Sequence, residues 1–294
     1  MEIFVQQFIN ALSLGGTYAL LALGLAMVFS VLGLINFAHG ELMTITGYAM
    51  FFAIAAGIPF PIAVILGIAA ATAAAILMER VAFRPVRDAN TATMLLTSFA
   101  VSTILHMVFQ NFISARPKAI PVPDWMVGSI NLAGIGIGVI QALSITATTL
   151  LLVALTIFLR RSTLGIAMRA ASLDFPVTRL MGINANAVIA TAFGISGLLA
   201  GVAGVLWLAQ RGSVDPLMGF LPVLKAFIAV VLGGLGSLSG AVLGGFVLAF
   251  IEVSLRAFLP EEWLPFRESI TLTLVIMLLL VRPEGLLGRK ESIR

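Results

Sequence analysis

The chain has 294 residues, is 60% hydrophobic and only 10% charged, and has a mean hydropathy of +1.12, which excludes a water-soluble domain. Its sequence pI near 10 would suggest a nucleic-acid partner in a soluble protein, but here the basic residues sit in short segments between apolar runs, a pattern that reports membrane orientation. With no cysteine, disulfides and thiolate metal sites are excluded.

Apolar stretches of roughly 20 residues recur along the whole length, each enough to cross a hydrocarbon core about 30 Å thick as a helix. A membrane β-barrel would show alternating ten-residue segments instead. The expected fold is all-α: a polytopic membrane helical bundle forming one transmembrane domain over residues 1–294, since no linker or composition break divides the chain. The N-terminus, MEIFVQQFINALSLGG, has an acidic residue where a signal peptide needs a basic one, and is expected to be retained. Spans are predicted at 8–33, 42–57, 60–79, 93–113, 137–159, 185–208, 219–235, 239–257 and 268–281. The count is eight or nine, because the seventh and eighth meet at GGLGSLSG and could form a hairpin that does not fully cross.

Between the first two spans, residues 34–47 read LINFAHGELMTITG. Asn36 suits a helix N-cap, Gly40 relieves backbone crowding, and Glu41 falls in a first turn, where the positive end of a helix dipole favours an acid. The stretch describes a chain break followed by a new helix start. At membrane depth such a break exposes backbone polar groups to a solute path, which Asn36, His39, Gly40 and Glu41 would line. A cytoplasmic turn between two spans has the same spacing, and both readings stand at this stage.

Three basic segments fall on one side: Arg80, Arg84 and Arg87; Arg160, Arg161, Arg169 and Arg179; and Arg282, Arg289, Lys290 and Arg294. They hold 11 of the 17 Lys and Arg residues, while the opposite side receives Arg116, Lys118, Arg211, Arg256 and Arg267. The positive-inside rule then puts the C-terminus in the cytoplasm and, with nine crossings, the N-terminus outside. His106 in the fourth span is expected to be a packing residue bonded to a neighbour. The outer segment ARPKAIPVPDWMVGSINLAGIG is either a short ordered cap or a plain connector.

The longest inner segment, RRSTLGIAMRAASLDFPVTRLMGINA, alternates polar and apolar residues at helical spacing from Leu164 to Leu173, then meets Pro176. This predicts a short amphipathic helix in a cytoplasmic loop, with something to dock against. Gly194, Gly197, Gly201 and Gly204 lie near one face of the sixth span, and Gly236, Gly240 and Gly244 form a ladder into the eighth. Small residues at such spacing let helices approach closely in lipid, with a solute seam as the alternative. Lys225 and Glu252 either face protein or water, as a charge near mid-bilayer must, or snorkel from the outer ends of their spans.

No GxxxxGK[ST] is present, so any ATP must be hydrolysed by another subunit and no cofactor is expected in the chain itself. Two histidines 67 positions apart, with no HExxH, make no metal site. GISGLLAG at 194–201 fits the GxSGxxxG pattern around a rhomboid protease nucleophile, and AHG at 38–40 offers a histidine. In rhomboids, however, the base follows the serine, whereas His39 and His106 both precede Ser196. The chain is expected not to be an enzyme.

Five stretches, in order, resemble one family. They are GLINFAHGELMTITGYAM, ERVAFRPVRDAN, TLGIAMRAASLDFPVTRLMGIN, FGISGLLAGVAGVLW and LKAFIAVVLGGLGSLSGAVLGG. They are similar to the LivH-type permease subunits of the bacterial branched-chain amino acid ABC transporters. The resemblance covers nearly the whole chain. It implies a multi-pass inner-membrane permease that works with a second homologous permease, two ATPase subunits and an extracytoplasmic substrate-binding protein. It also implies an inverted-repeat fold of the ribose-permease kind, with the segment 36–52 corresponding loosely to 215–231.

The implied cargo is branched-chain, hydrophobic amino acids, with urea or short amides as the alternative within the family. A break lined by neutral polar groups with no fixed charge suits a zwitterion or a small neutral solute equally. A self-contained channel or carrier is the reading from another class, and the amphipathic inner loop argues against it. The resemblance makes residues 163–184 the loop that couples the ATPases to the membrane, with Gly165, Arg169, Asp174 and Gly182 as its candidate residues. The apolar Leu164, Met168 and Leu173 would fill the partner's groove. Gly197, Gly201, Gly236 and Gly240 remain helix-packing candidates.

Overall fold

A computed structural model describes residues 2–132 and 135–288. The expected Arg289, Lys290 and Arg294 of the third basic segment lie outside the described residues. The chain is helical almost throughout, because long apolar runs in a medium without water must satisfy every backbone group internally. In chain order the helices are α1 (Glu2–Leu32), α2 (His39–Ala55), α3 (Phe60–Met78), α4 (Thr91–Val108), α5 (Asp124–Val127), α6 (Val139–Arg161), α7 (Thr163–Ala171), α8 (Phe175–Leu180), α9 (Ala185–Arg211), α10 (Phe220–Gly233), α11 (Leu238–Phe258) and α12 (Arg267–Val281).

Nine of these match the nine predicted spans one for one. Among the described residues, however, only seven helical stretches are long and apolar enough to cross a membrane. The other two are α2, with 17 residues, and α10, with 14. At 1.5 Å per residue, α10 is about 21 Å long, well short of a full hydrocarbon core. π-helical turns at Glu79–Phe83 and Phe109–Ile113 extend α3 and α4.

The outer segment is an ordered cap. Strand β1 (Lys118–Ala119) and the hairpin β2 (Ser129–Leu132) and β3 (Ile135–Gly138) flank α5, and β4 (Ser213–Val214), just after α9, pairs antiparallel with β1. Bonding between β1 and β4, together with Ile120 N–H donating to Gly212 C=O at 2.8 Å, ties the cap to the end of α9.

The helices form two matching sets. Shifting α1, α2, α3 and α4 by 179 positions lands them on α9, α10, α11 and α12 with boundaries agreeing to within a few residues. Packing repeats too. Gly197 of α9 lies against Ala71 and Ala75 of α3, while Gly245 of α11 lies against Tyr18 and Ala19 of α1. Each first helix therefore packs on the third helix of the other set, and the halves interlock. The core is where α1 and α9 cross, and Leu20, Leu21, Leu25, Leu199 and Ala203 are fully enclosed there. Only α6, α7, α8 and the cap stand outside the repeat.

The two ends of the bundle differ in charge. Arg87, just after α3, bonds to Glu79 at 2.6 Å and to Asn186 at the start of α9 at 2.8 Å. Met27 and Val31 near the end of α1 share a crevice with Leu159, Met168 and Leu238. The segment after Arg282 bonds back to the end of α10 through Leu286 N–H and Leu287 N–H. These contacts gather all three basic segments, as far as they are described, at one end. Helices that begin there carry side-chain caps from Asn90, Ser162, Asp174, Asn184 and Ser237. At the opposite end, the starts of α1 and α6 and the ends of α9 and α11 surround a cavity of about 650 Å³ under α5.

Candidate functional site

The site is built on the two short helices. Their N-termini meet head to head: Gly40 of α2 and Gly219, the residue before α10, are so close that a side chain on either would run into the backbone of the other. They are 179 positions apart, the offset of the repeat, so each glycine answers the other. Neither terminus carries a side-chain cap.

The depth of the contact settles whether residues 34–47 form a surface turn. The ring of His39 lies beside Gly24, eight residues before the end of α1. At 1.5 Å per residue, this sets the start of α2 about 12 Å inside the bundle. The chain turns at Gly33, whose φ of +65° only glycine adopts without strain, and re-enters.

Asn36 is not the N-cap that its residue type predicts. The cap position is Ala38, and the Asn36 side chain instead accepts a bond from Ala38 N–H at 3.1 Å. This is an Asx-type turn that folds the chain back one residue early. His39, Gly40 and Glu41 then form the first turn of α2, all buried.

Two polar pairs leave this turn in opposite directions. His39 Nδ1 lies 3.0 Å from Ser196 Oγ of α9. The motif reading of Ser196 had set aside a protease because both histidines precede the serine, yet the fold brings the pair together. Both side chains are enclosed, at 2% and 0% exposure, with α1 closing over the imidazole at Gly24. The arrangement is a hydrogen bond that joins α2 to α9 within the protein interior.

On the other side, Glu41 Oε1 accepts a bond from Ser102 Oγ at 2.9 Å and lies 2.7 Å from His106 Nε2, both on α4. His106 thus stands at ion-pair distance from a neighbour, and that neighbour is the carboxyl group of the break. The break therefore carries an acidic side chain at its centre, not only neutral groups.

Aromatic rings surround this point. Phe37 stacks on Phe99 at 4.5 Å and lies 5.6 Å from Phe227, and Phe220 meets the His106 ring edge-on at 6.4 Å. Phe99, Phe220 and Leu221 are exposed on the chain's outer surface. Sequence reading missed Phe37, Phe99, Ser102, Gly219, Phe220 and Phe227. The one signal that pointed at Gly219 was the correspondence between 36–52 and 215–231.

Lys225 and Glu252 face each other rather than snorkelling. Lys225 Nζ lies 2.8 Å from Glu252 and 3.2 Å from Glu268, Arg267 lies 3.2 Å from Glu268, and Tyr18 donates to Glu252 at 2.9 Å. Two cations and two carboxyl groups neutralise one another and hold α10 against α1, α11 and α12.

The inner loop is two short helices, not one. Ser162 caps α7 and Asp174 caps α8, each through a bond to an N–H three residues on. Two expectations change here. Gly165 is buried because α7 folds onto the end of α6, where a side chain would strike Phe158 and Leu159, so its close approach is internal. Met168 is likewise buried against the chain's own core and is not free to fill a partner's groove. Exposed on the loop are Leu164, Ile166, Leu173, Val177, Leu180 and Met181, while Arg169, also exposed, lines the crevice with Met27 and Val31 of α1; Gly182, at φ +80°, turns the chain towards α9.

Of the packing glycines, Gly197 and Gly201 lie on α3, and Gly240 lies on Gly233. Gly236 does not pack. It has φ +82° and open space around its Cα, and it serves the tight turn between α10 and α11.

A family model described as the permease component of the branched-chain amino acid transport system matches residues 7–281. The chain is 40% identical over 304 aligned positions to the high-affinity branched-chain amino acid transport system permease protein LivH of Salmonella typhimurium, covering 98% of this chain and 96% of that protein. It is 39% identical to the corresponding permease BraD of Pseudomonas aeruginosa, covering 98% and 97%. The ribose import permease RbsC of Escherichia coli matches at 29% over 147 positions, 48% of this chain and 39% of that one. No solved structure matches the chain.

Proposed function

Because the chain belongs to the family of branched-chain amino acid transport permease components, we propose that it is the membrane-spanning subunit of an ATP-binding-cassette importer that passes leucine, isoleucine and valine inward. The observation that carries this reading is the head-to-head meeting of α2 and α10 at Gly40 and Gly219, beside an exposed aromatic surface. Half-helices that meet within a membrane are where transporters handle solute. Phe37, Phe99 and Phe220 offer a branched aliphatic side chain apolar contacts, and Glu41 and His106 supply polarity beside Phe220.

That surface faces out of the chain, so the path is completed by a second, homologous permease. An extracytoplasmic binding protein delivers the amino acid at the capped end, and two ATPase subunits dock at the basic end, in the cytoplasm of a bacterial cell whose inner membrane holds the complex. The N-terminus is then outside. The exposed apolar tip from Leu173 to Met181 is the ATPase contact, with the exposed Arg169 of the same loop as a second candidate. ATP stays with those subunits, and this chain's part is passage rather than catalysis. The enclosed His39–Ser196 pair supports that view, since no peptide reaches a serine at 2% exposure.

The test is uptake by proteoliposomes that hold the complete importer. ATP-dependent accumulation of labelled leucine, competed by isoleucine and valine but not by urea or acetamide, is expected. Uptake of urea in preference to leucine would overturn the choice of cargo.

A further inference from the structure

The cavity of about 650 Å³ under α5 takes no part in the site described above. Its volume falls within the roughly 300–1,000 Å³ of small-molecule sites. A chain of amides runs through its lining, and one backbone group fixes the direction of that chain. Gly138 N–H can only donate, so the Gln141 atom that it meets at 2.9 Å is the carbonyl oxygen Oε1. Gln141 Nε2 then donates to Asn10 Oδ1 at 2.5 Å, and Asn10 Nδ2 donates to Gln7 Oε1 at 3.1 Å. Each side-chain carbonyl in the chain is thus engaged, whereas each amide nitrogen keeps at least one N–H to give, and Gln7 at the end of the chain keeps two.

Arg256, in the last turn of α11, adds a guanidinium to the lining. It is exposed and joins no ion pair among the described residues, and no Asp or Glu lines the cavity. Spare N–H donors beside one uncompensated cation make the chemistry of a carboxylate site. Leu14, Ile140 and Val253 give the same cavity apolar contacts. Val253 also follows Glu252, whose partner Lys225 lies on α10, so one ion pair joins this lining to the half-helix of the break.

We propose that the cavity is an outer antechamber for the solute, in which Arg256 and the free amide of Gln7 take the α-carboxylate of the incoming amino acid while its aliphatic side chain lies on Leu14, Ile140 and Val253. The inference rests on the cargo and the orientation proposed above. A branched-chain amino acid joins a carboxylate to an aliphatic body, as the lining requires. An anionic phospholipid headgroup shares the charge, and the test separates the two.

Binding is measured by NMR saturation transfer on the complete importer, without binding protein, in phosphatidylcholine nanodiscs. Leucine is expected to bind, as is isocaproate, which lacks only the ammonium group, whereas isopentylamine, which lacks the carboxylate, is not. Arg256→Gln and, separately, Gln7→Glu are expected to weaken isocaproate binding about tenfold, the loss of roughly one charge-assisted hydrogen bond. Gln7→Glu keeps an oxygen for Asn10 and exchanges only the spare N–H groups for a charged acceptor, so its thermal unfolding should stay that of wild type. Equal binding of isopentylamine and isocaproate overturns the inference, and so does isocaproate binding that both variants leave unchanged. Loss of isocaproate binding when phosphatidylglycerol replaces phosphatidylcholine assigns the anion to the lipid and overturns it as well. Leucine uptake by an importer with no carboxylate-dependent binding removes this inference alone, whereas absence of leucine uptake removes the cargo reading with it.

Discussion

A methyl group added at Gly40 would meet the carbonyl of Gly219, and backbone cannot step aside as a flexible side chain can. Gly40→Ala is therefore expected to separate the two half-helices, to cost about 1–3 kcal/mol in the manner of an overpacked core, and to abolish uptake. Gly194 is a control on α9, because its nearest neighbours stand 3.5 Å and further from an added Cβ. Gly194→Ala should leave thermal unfolding of the purified protein unchanged or raise its midpoint, since alanine favours a helix interior. Equal midpoints for the two variants would show that the Gly40 contact is not tight.

Lys225 offers a second comparison at this scale. Lys225→Met leaves Glu252 facing no cation at 2.8 Å, and breaking a buried pair from one side costs about 3–5 kcal/mol. Lys225→Met with Glu252→Gln removes both charges and is expected to recover much of the loss in the same thermal assay. A double variant less stable than the single one would show that the cluster holds α10 by other means.

At the scale of elements, hydropathy made nine apolar helices legible, seven of them long enough to cross a membrane, because a run of apolar residues states its own environment. The amphipathic loop was legible as well, but not the orientation of its faces. A stripe at helical spacing says that one face is buried without saying whether the chain itself or a partner covers it. In α7 the chain covers one face, through Gly165 and Met168, and Leu164 and Ile166 together with the apolar side chains of α8 and its flanks are left for a partner. Asp174 shows the practical consequence. Its side chain caps α8 at 3.0 Å, so Asp174→Ala is expected to loosen that helix by about 1 kcal/mol and to weaken coupling whether or not it touches an ATPase. Leu180→Ser together with Met181→Ser removes exposed apolar surface, 86% exposed at Leu180, and leaves the cap intact. These variants should reduce co-purification of the ATPase subunits while the membrane chain still folds and pairs. Unchanged co-purification would place the ATPase contact elsewhere.

For the whole molecule, the least legible feature was the interlocking of the two halves. The 179-residue offset came only from the family resemblance, as the correspondence of 36–52 with 215–231, because the contacts that lock the halves together are made by backbone and not by matched side chains. Gly40 on Gly219, Gly240 on Gly233 and Gly245 on Ala19 leave no pattern of matched side chains to find. The polar pairs of the site, Glu41 with His106 and His39 with Ser196, join positions 65 and 157 apart that no periodicity connects. Charge, by contrast, acts at the scale of the whole chain, and its asymmetry survives folding. Arg87 is tied to the start of α9, α7 folds on α6, and the segment after Arg282 is tied to the end of α10, so the basic segments share one end while Lys118 and Arg211 flank the cap at the other. By the positive-inside rule the basic end is expected in the cytoplasm. The native chain has no cysteine, so single cysteines report position without background. Leu180 and Pro121 are the suitable sites, being exposed at opposite ends and free of capping bonds, whereas Ser162 is committed to Gly165. In intact cells an impermeant maleimide is expected to label Pro121→Cys and to spare Leu180→Cys until the membrane is permeabilised. The reverse pattern would turn the molecule over in the membrane and move the proposed ATPase surface to the wrong compartment.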